Sequence, residues 1–309
     1  MKSLEIEFVD FWKGFNRYDN FITQRLSKYY EIEISKNPDY VFYSTFGFKH
    51  LGYKNAIKIY YTGENDVPDF NFCDYAIGFQ PIIFDDRYLR FPLYLLYDSY
   101  YELKEKRIKE NLLNRKFCNF VYSNSIYSTP LREQFFLQLS KYKKVDSGGR
   151  LLNNIGGPVK DKLNFIRNYK FTIAFENSSI SGYTTEKLLE PMVANSLPIY
   201  WGSPNVYLDF NPDSILDIQD FSSFDEAIDE IVRLDSDDKA YLHKLSIPWQ
   251  TIEQSSKNWE DEISSFLCNI FDQSKTNAIR RTNYGYAVMK KYKEARFAKI
   301  ASIPLLRNL

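Results

Sequence analysis

The sequence predicts an α/β protein built from two doubly wound, Rossmann-like domains facing a cleft. Three observations lead there. A chain of 309 residues exceeds one simple core and suits two domains of ordinary size. Hydrophobic residues make up 44%, enough to fill both cores and to exclude bulk disorder. Short strand-like runs alternate with helix-like segments in two successive series, the pattern of parallel sheets with crossover helices. In open sheets of this kind, ligands lie beyond the carboxyl ends of the strands.

The first series opens with a strand at residues 4–9. Further strands follow at 30–34, 40–44, 56–60 and 75–78, each a β-branched or aromatic run bounded by Asn, Pro, Gly or Asp. Residues 97–116 are charged and lack a strand pattern, so they read as a connector near whose end the first domain, 1–115, closes. The second domain, 116–274, opens with a strand at 118–122. A helix at 131–139 carries Leu131, Phe135, Phe136 and Leu139 at helical spacing. A strand at 171–175, a helix at 185–195 and a strand at 197–201 come next, then helices at 224–234 and 259–271. Residues 275–309 form a basic tail with nine Lys or Arg against one acidic residue, Glu294, a local net charge of +8. Tyr286, Met289, Tyr292 and Ile300 fall near one helical stripe. The tail therefore reads either as an amphipathic helix on an anionic membrane or as a solvated helix docked on the body.

Composition narrows the function. Forty basic and 40 acidic side chains give a formal net charge of zero, so no whole-protein nucleic-acid footprint is indicated. Cys73, Cys118 and Cys268 are widely spaced and form no CxxC, as in a reduced, cytoplasmic protein. The only histidines, His50 and His243, supply neither a His-based metal site nor a Ser/His/Asp triad, and read as surface or packing residues. Glu5, Glu7 and Asp10 interrupt the first apolar run, unlike a signal peptide, and no run of ~18 apolar residues would span a membrane. The expectation is a cytoplasmic protein, peripheral on the inner face of the membrane if the tail binds there. The 25 Tyr and 25 Phe mostly fill cores, though aromatic faces also stack on bases and sugars.

The stretch that carries chemistry is YKFTIAFENSSISGYTTEKLLEPMVANSLPIYWGSPNV, residues 169–206. A buried strand ends at Phe175, with Glu176, Asn177, Ser178 and Ser179 at its carboxyl end. Gly182 turns the chain into a helix that Thr184 or Thr185 can cap. The free amides and positive dipole end of that helix make an anion site. Lys187 in the first turn opposes the dipole, which an anion such as a diphosphate would explain. Glu186 beside it suits ribose hydroxyls, as acidic residues do in dinucleotide sites. An ordinary βαβ unit with a capped helix would share this layout.

The Phe-Glu-Asn triplet, the Tyr-x-Thr-Glu-Lys core and the Pro-Ile-Tyr-Trp-Gly-Ser-Pro stretch resemble the signature of the bacterial α-1,3/4-fucosyltransferases, the Helicobacter-type enzymes included. Residues 60–79, 85–94 and 140–154 are similar to further family stretches. The resemblance implies a GT-B fold and inverting transfer of fucose from GDP-β-L-fucose. It implies as acceptor the GlcNAc of a Galβ1-4GlcNAc (Lewis X type) or Galβ1-3GlcNAc glycan on lipopolysaccharide or O-antigen. By motif position it implies that Asn177, Tyr183, Glu186 and Lys187 bind the donor, together with Arg132 of the LREQFF helix on the diphosphate. It implies Glu64, in TGEN, as the general base. Asp66 is the competing base, standing where family members often carry Glu-Ser-Pro and this chain has Asp66-Val67-Pro68. With Lys187 and Arg132 offsetting the leaving charge, no divalent metal or other cofactor is required. Two other readings remain open at this stage: a GT-B transferase with another nucleotide-sugar donor, and a non-catalytic glycan-binding module. Asp235-Ser236-Asp237 has a metal-binding DxD pattern but follows a helix. Gly148-Gly149 and Gly156-Gly157 form no phosphate loop. Arg280-Arg281 lacks the His-x-Arg-Arg-x-Asp context of α-1,2-fucosyltransferases.

Overall fold

The computed structural model describes residues 1–104, 110–123, 128–282 and 284–301. Contacts between residues gather the chain into two compact units: Met1–Phe91 with Asn258–Leu309, and Pro92–Lys257.

The first unit is built on six parallel strands: β1 (Lys2–Val9), β2 (Tyr30–Ile34), β3 (Tyr40–Tyr43), β4 (Ile57–Tyr61), β5 (Tyr75–Gly78) and β6 (Tyr88–Arg90). Their order is β2-β1-β3-β4-β5-β6. Strands β3, β4 and β5 are buried along their whole length, which accounts for their near-continuous aromatic and aliphatic sequence. Ile6 of β1 lies opposite both Ile34 and Tyr40, so β2 pairs with the first half of β1 and β3 with the second. That stagger lets the short link 35–39 join two strands on either side of β1.

The helix Trp259–Asp272 packs on this sheet, with the Phe271 ring 4.6 Å from that of Tyr40 and 5.7 Å from that of Tyr30. The Tyr30 hydroxyl donates to Asp272 at 2.8 Å. The expected boundary at 274 is therefore misplaced, because the apolar face of this helix covers the first sheet. The expected boundary at 115 shifts too: Tyr94 donates to Asp209 at 3.0 Å and its ring packs against Phe210, so residues from Pro92 onward belong with the second unit.

The basic tail begins as part of the first unit. The Asp74 carboxylate, fully buried, accepts the amides of Lys58, Arg280 and Arg281 at 2.7 to 2.8 Å and pairs with the Arg281 guanidinium. Arg280 pairs with Asp86 at 2.9 Å, and Lys290 with Asp69. Acidic side chains of the body thus neutralise several of the tail's charges. The helix Tyr286–Ala301 leaves Tyr286, Met289, Tyr292 and Ile300 exposed, and residues 302–309 of the expected tail lie outside the described residues. We expect Asp74→Ala to destabilise the fold by roughly 3–5 kcal/mol, because it strands the buried Arg281 charge. Urea denaturation of the two proteins reads this directly.

The second unit holds β7 (Lys116–Phe120), β8 (Val145–Ser147), β9 (Tyr169–Phe175), β10 (Leu197–Trp201) and β11 (Leu216–Asp217), all parallel, in the order β11-β10-β9-β7-β8. Read from β8, this repeats the order of β2 to β5 in the first unit. In both sheets the order reverses beside the first strand of the unit, between β1 and β3 and between β7 and β9. Crevices for ligands form outside the carboxyl ends at such reversals.

Candidate active site

The site in the second unit grows from the end of β9. Glu176 follows Phe175 and is 0% exposed. Its carboxylate accepts the Thr185 amide at 2.7 Å and the Thr185 hydroxyl at 2.8 and 3.0 Å. Thr185 in turn caps the helix Glu186–Val193, its hydroxyl accepting from the Lys187 amide. The Lys187 ammonium lies 3.2 Å from the Thr185 hydroxyl, 3.2 Å from Glu186 and 3.6 Å from Glu176. Sequence alone assigned Lys187 an external anion. The structure gives it two internal carboxylates, which explains how a lysine is tolerated against the helix dipole.

The charges of this cluster depend on one another. Burial alone would lower the Lys187 ammonium, but Glu176 and then Glu186 hold it above its ordinary value, so it stays protonated. Burial pushes the Glu176 carboxyl up, with Lys187 opposing. Burial also pushes on Glu186, where Lys187 and Lys162 outweigh it and hold that carboxyl below its usual range.

The two halves of the 169–206 stretch close around Glu176. The Gly182 amide donates to the Ser203 hydroxyl at 2.9 Å, and the Ser203 amide to the Tyr200 hydroxyl at 2.8 Å. A side chain at Gly202 would stand 2.6 Å from the Glu176 Cγ and 2.5 Å from the Tyr200 hydroxyl, so only glycine fits. The sequence reading placed Glu176 merely among the polar residues at the strand end. Its central role was missed. The available signal was an acid closing an otherwise apolar strand, with a Thr-Thr cap nine residues on.

An open cavity of about 250 Å³ lies at the carboxyl ends of β7 and β9. It gathers four of the five expected donor-binding residues, Arg132, Asn177, Glu186 and Lys187, and adds Tyr122 and Lys162. Arg132, 2% exposed, lies over the Tyr122 ring at 3.9 Å from its centroid. Its guanidinium donates to the Phe175 carbonyl at 2.9 Å and to Asn177 Oδ1 at 3.0 Å, which fixes the fork at the cavity wall. The Tyr122 hydroxyl is tied to the Ile173 and Phe175 backbone, so the platform under Arg132 is rigid. Tyr183, the fifth residue, is buried and does not line the cavity. Lys162, which the sequence reading did not single out, pairs with Glu190. Among the described residues the lining carries three cations and one carboxylate, an environment for a di-anionic group.

The two candidate bases lie in the first unit, in the turn after β4. Glu64 is exposed, and its carboxylate takes no hydrogen bond among the described residues. Asp66 is committed: it accepts the Tyr60 hydroxyl at 2.7 Å and the Val67 amide at 2.9 Å. Asp235 of the DxD pattern pairs with Lys143 and Lys170, and no cluster of His, Cys, Asp or Glu among the described residues has the makings of a metal site. Of the two readings of His50, surface or packing, the buried one holds, and its Nδ1 lies 2.8 Å from the Asp10 carboxylate.

Comparison with known proteins bears on this geometry. Residues 6–97 match the family model of the α-(1,3)-fucosyltransferase FucT N-terminal domain, and residues 111–291 that of the glycosyltransferase family 10 (fucosyltransferase) C-terminal domain. The α-(1,3)-fucosyltransferase FucT of Helicobacter pylori is 40% identical over 260 residues, 71% of this chain and 54% of that protein. Human GDP-fucose protein O-fucosyltransferase 3 is 33% identical over 46% of this chain and 32% of its own length. The chain thus spans about half, or less, of the curated relatives it matches. A crystal structure of an α1,3-fucosyltransferase with GDP-fucose superposes with a TM-score of 0.78 at 31% identity, covering 92% of this chain and 94% of the other.

Proposed function

The chain belongs to glycosyltransferase family 10, the fucosyltransferases, and on that premise we propose that it is an inverting α-1,3-fucosyltransferase. The donor is GDP-β-L-fucose, and the acceptor is the GlcNAc of a Galβ1-4GlcNAc or Galβ1-3GlcNAc glycan, carried on lipopolysaccharide or O-antigen. The observation that carries this reading is the cationic cavity at the ends of β7 and β9. Arg132 and Lys187 face a diphosphate there, and Glu186 faces the ribose. Glu64 takes the proton of the acceptor hydroxyl as that oxygen bonds to the anomeric carbon. The bond from the anomeric carbon to the diphosphate oxygen breaks on the opposite side, and GDP leaves with its added charge met by Arg132 and Lys187. Side chains answer that charge, so the mechanism calls for no divalent metal. The basic helix Tyr286–Ala301, with Tyr286, Met289 and Tyr292 exposed, supports peripheral contact with an anionic membrane on the cytoplasmic side.

Ligand-dependent melting tests the donor assignment. A nucleotide that binds only the folded state at 100 times its Kd stabilises it by about 2.7 kcal/mol. GDP is expected to raise the melting temperature while UDP and CDP leave it unchanged, and N-acetyllactosamine with GDP-fucose should release GDP. Stabilisation by UDP or CDP instead would point to another donor. Glycan binding with no nucleotide response would make the protein a non-catalytic module.

A further inference from the structure

The donor cavity of the second unit carries a third cation, Lys162, that the transfer chemistry above does not use. Lys162 opens the short helix Lys162–Ile166. Asp161 caps that helix by accepting the Asn164 amide at 2.9 Å, and Ile166 is fully buried, so the backbone under Lys162 is fixed.

Two neighbouring spaces show where this lysine acts. The donor cavity adjoins a void of about 10 Å³, room for no more than a water. Lys162 and Lys187 line both spaces. Glu186 lines only the donor cavity, and Glu190 only the void. Glu190 is therefore out of reach of a bound donor, yet it is the carboxylate with which Lys162 pairs.

The two acids belong to one helix, Glu186–Val193, four residues apart. Side chains at that spacing are neighbours, and like charges there repel. Charges alternate in sign through the whole cluster. Lys187 stands between Glu176, at 3.6 Å, and Glu186, at 3.2 Å, and Lys162 between Glu186 and Glu190. Burial pushes the Glu190 carboxyl up, Lys162 opposes it, and Glu186 adds to the push. Tyr97, from the segment that opens the unit, hydrogen-bonds Glu186 through its hydroxyl. A lysine engaged by an acid outside the cavity is poorly placed to hold a phosphate. Its influence on the donor passes through the carboxylate that the cavity does expose.

We propose that Lys162 is a positioning residue for the donor: seated between Glu186 and Glu190, it screens one acid from the other and keeps the Glu186 carboxylate ready to accept the ribose hydroxyls. The proposal rests on GDP as the nucleotide and on Glu186 facing its ribose, as argued above.

Calorimetric titration with GDP and with 2′,3′-dideoxy-GDP tests it without requiring turnover. The wild type is expected to prefer GDP by about tenfold, the worth of one hydrogen bond to a charged group. Lys162→Met leaves two carboxylates one turn apart with a cation fewer, so Glu186 holds a proton to higher pH. The variant should lose the preference at about pH 6 and regain most of it at about pH 8. Adding Glu190→Gln removes the repulsion and should restore the preference at the lower pH, whereas Glu190→Gln alone should behave as wild type. Where Lys162→Met does not fold, the double variant, which leaves no unpaired acid behind, decides alone: GDP affinity within about threefold of wild type upholds the proposal, and a loss of about tenfold or more overturns it. Equal weakening of GDP and 2′,3′-dideoxy-GDP by Lys162→Met, with no rescue by Glu190→Gln, makes Lys162 a direct phosphate ligand and overturns the proposal. So does a wild type indifferent to the ribose hydroxyls. A wild type and variants that bind as expected, in a protein that never releases GDP from GDP-fucose, uphold the role of Lys162 and refute the transferase reading.

Discussion

Glu64→Gln is expected to lower kcat for fucosyl transfer by about 10²- to 10⁴-fold, the usual contribution of a positioned general base. The amide keeps the size of the side chain and loses only its capacity to take a proton. Glu64 lies in an exposed turn held by the backbone: its amide donates to the Thr62 hydroxyl at 3.0 Å and its carbonyl accepts the Asp66 amide at 2.7 Å. The substitution therefore leaves the fold intact, and GDP binding, which uses residues of the other unit, is unchanged. Stopped assays of GDP release with saturating N-acetyllactosamine measure kcat directly. Asp66→Asn is the informative control. Its carboxylate is engaged by Tyr60 and Val67, so its loss should act mainly on acceptor KM. If Asp66→Asn abolishes kcat and Glu64→Gln spares it, the base is Asp66.

Lys187→Met should produce the second large effect, a fall of roughly 10²- to 10³-fold in kcat/KM, as when one preorganised stabiliser of developing charge is removed. This variant also strands Glu176, whose carboxylate is fully buried and keeps only the Thr185 donors. The stability cost has a pH signature. A carboxyl whose folded pKa is raised binds its proton more tightly in the folded state. Its favourable contribution is present below the unfolded pKa and is lost as pH rises through the folded value. Burial already raises Glu176, and without Lys187 nothing cationic in the triad opposes it. Lys187→Met should therefore match the wild type most closely in acid and fall further behind as pH rises. Urea melts across that range check it. Adding Glu176→Gln should restore stability but not turnover. If the double variant regains transfer, Lys187 serves the fold rather than the reaction.

Much of this was legible in the residues. Strands β3 to β5, β9 and β10 declared themselves because parallel strands buried on both faces need near-continuous apolar runs, as in Tyr40–Tyr43 and Tyr169–Phe175, and β1 and β2 through apolar residues alternating with Glu. Strands β6, β8 and β11 escaped notice because two or three residues carry no period. The allegiance of Trp259–Asp272 escaped too, since an apolar helix face does not say which sheet it will cover. Within the site, Arg132, Asn177, Glu186 and Lys187 were readable from motif position and do converge. Glu176 and His50 were not, because their importance lies in partners brought close by the fold, Thr185 and Lys187 for one and Asp10 for the other.

The return of Asn258–Leu309 to the first unit bears on how the protein is born. The second unit is one uninterrupted stretch, so its sheet can close while the ribosome is still at work. The first unit cannot. Tyr30 waits for a partner 242 positions downstream, a delay of roughly 10–50 s at ordinary rates of ~5–20 residues per second. During that interval the faces of Tyr30, Tyr40 and Phe42 that Phe271 will later cover stand open to water, an aromatic surface of the kind that nascent chains hand to chaperones. The half of the molecule translated first is thus the half completed last.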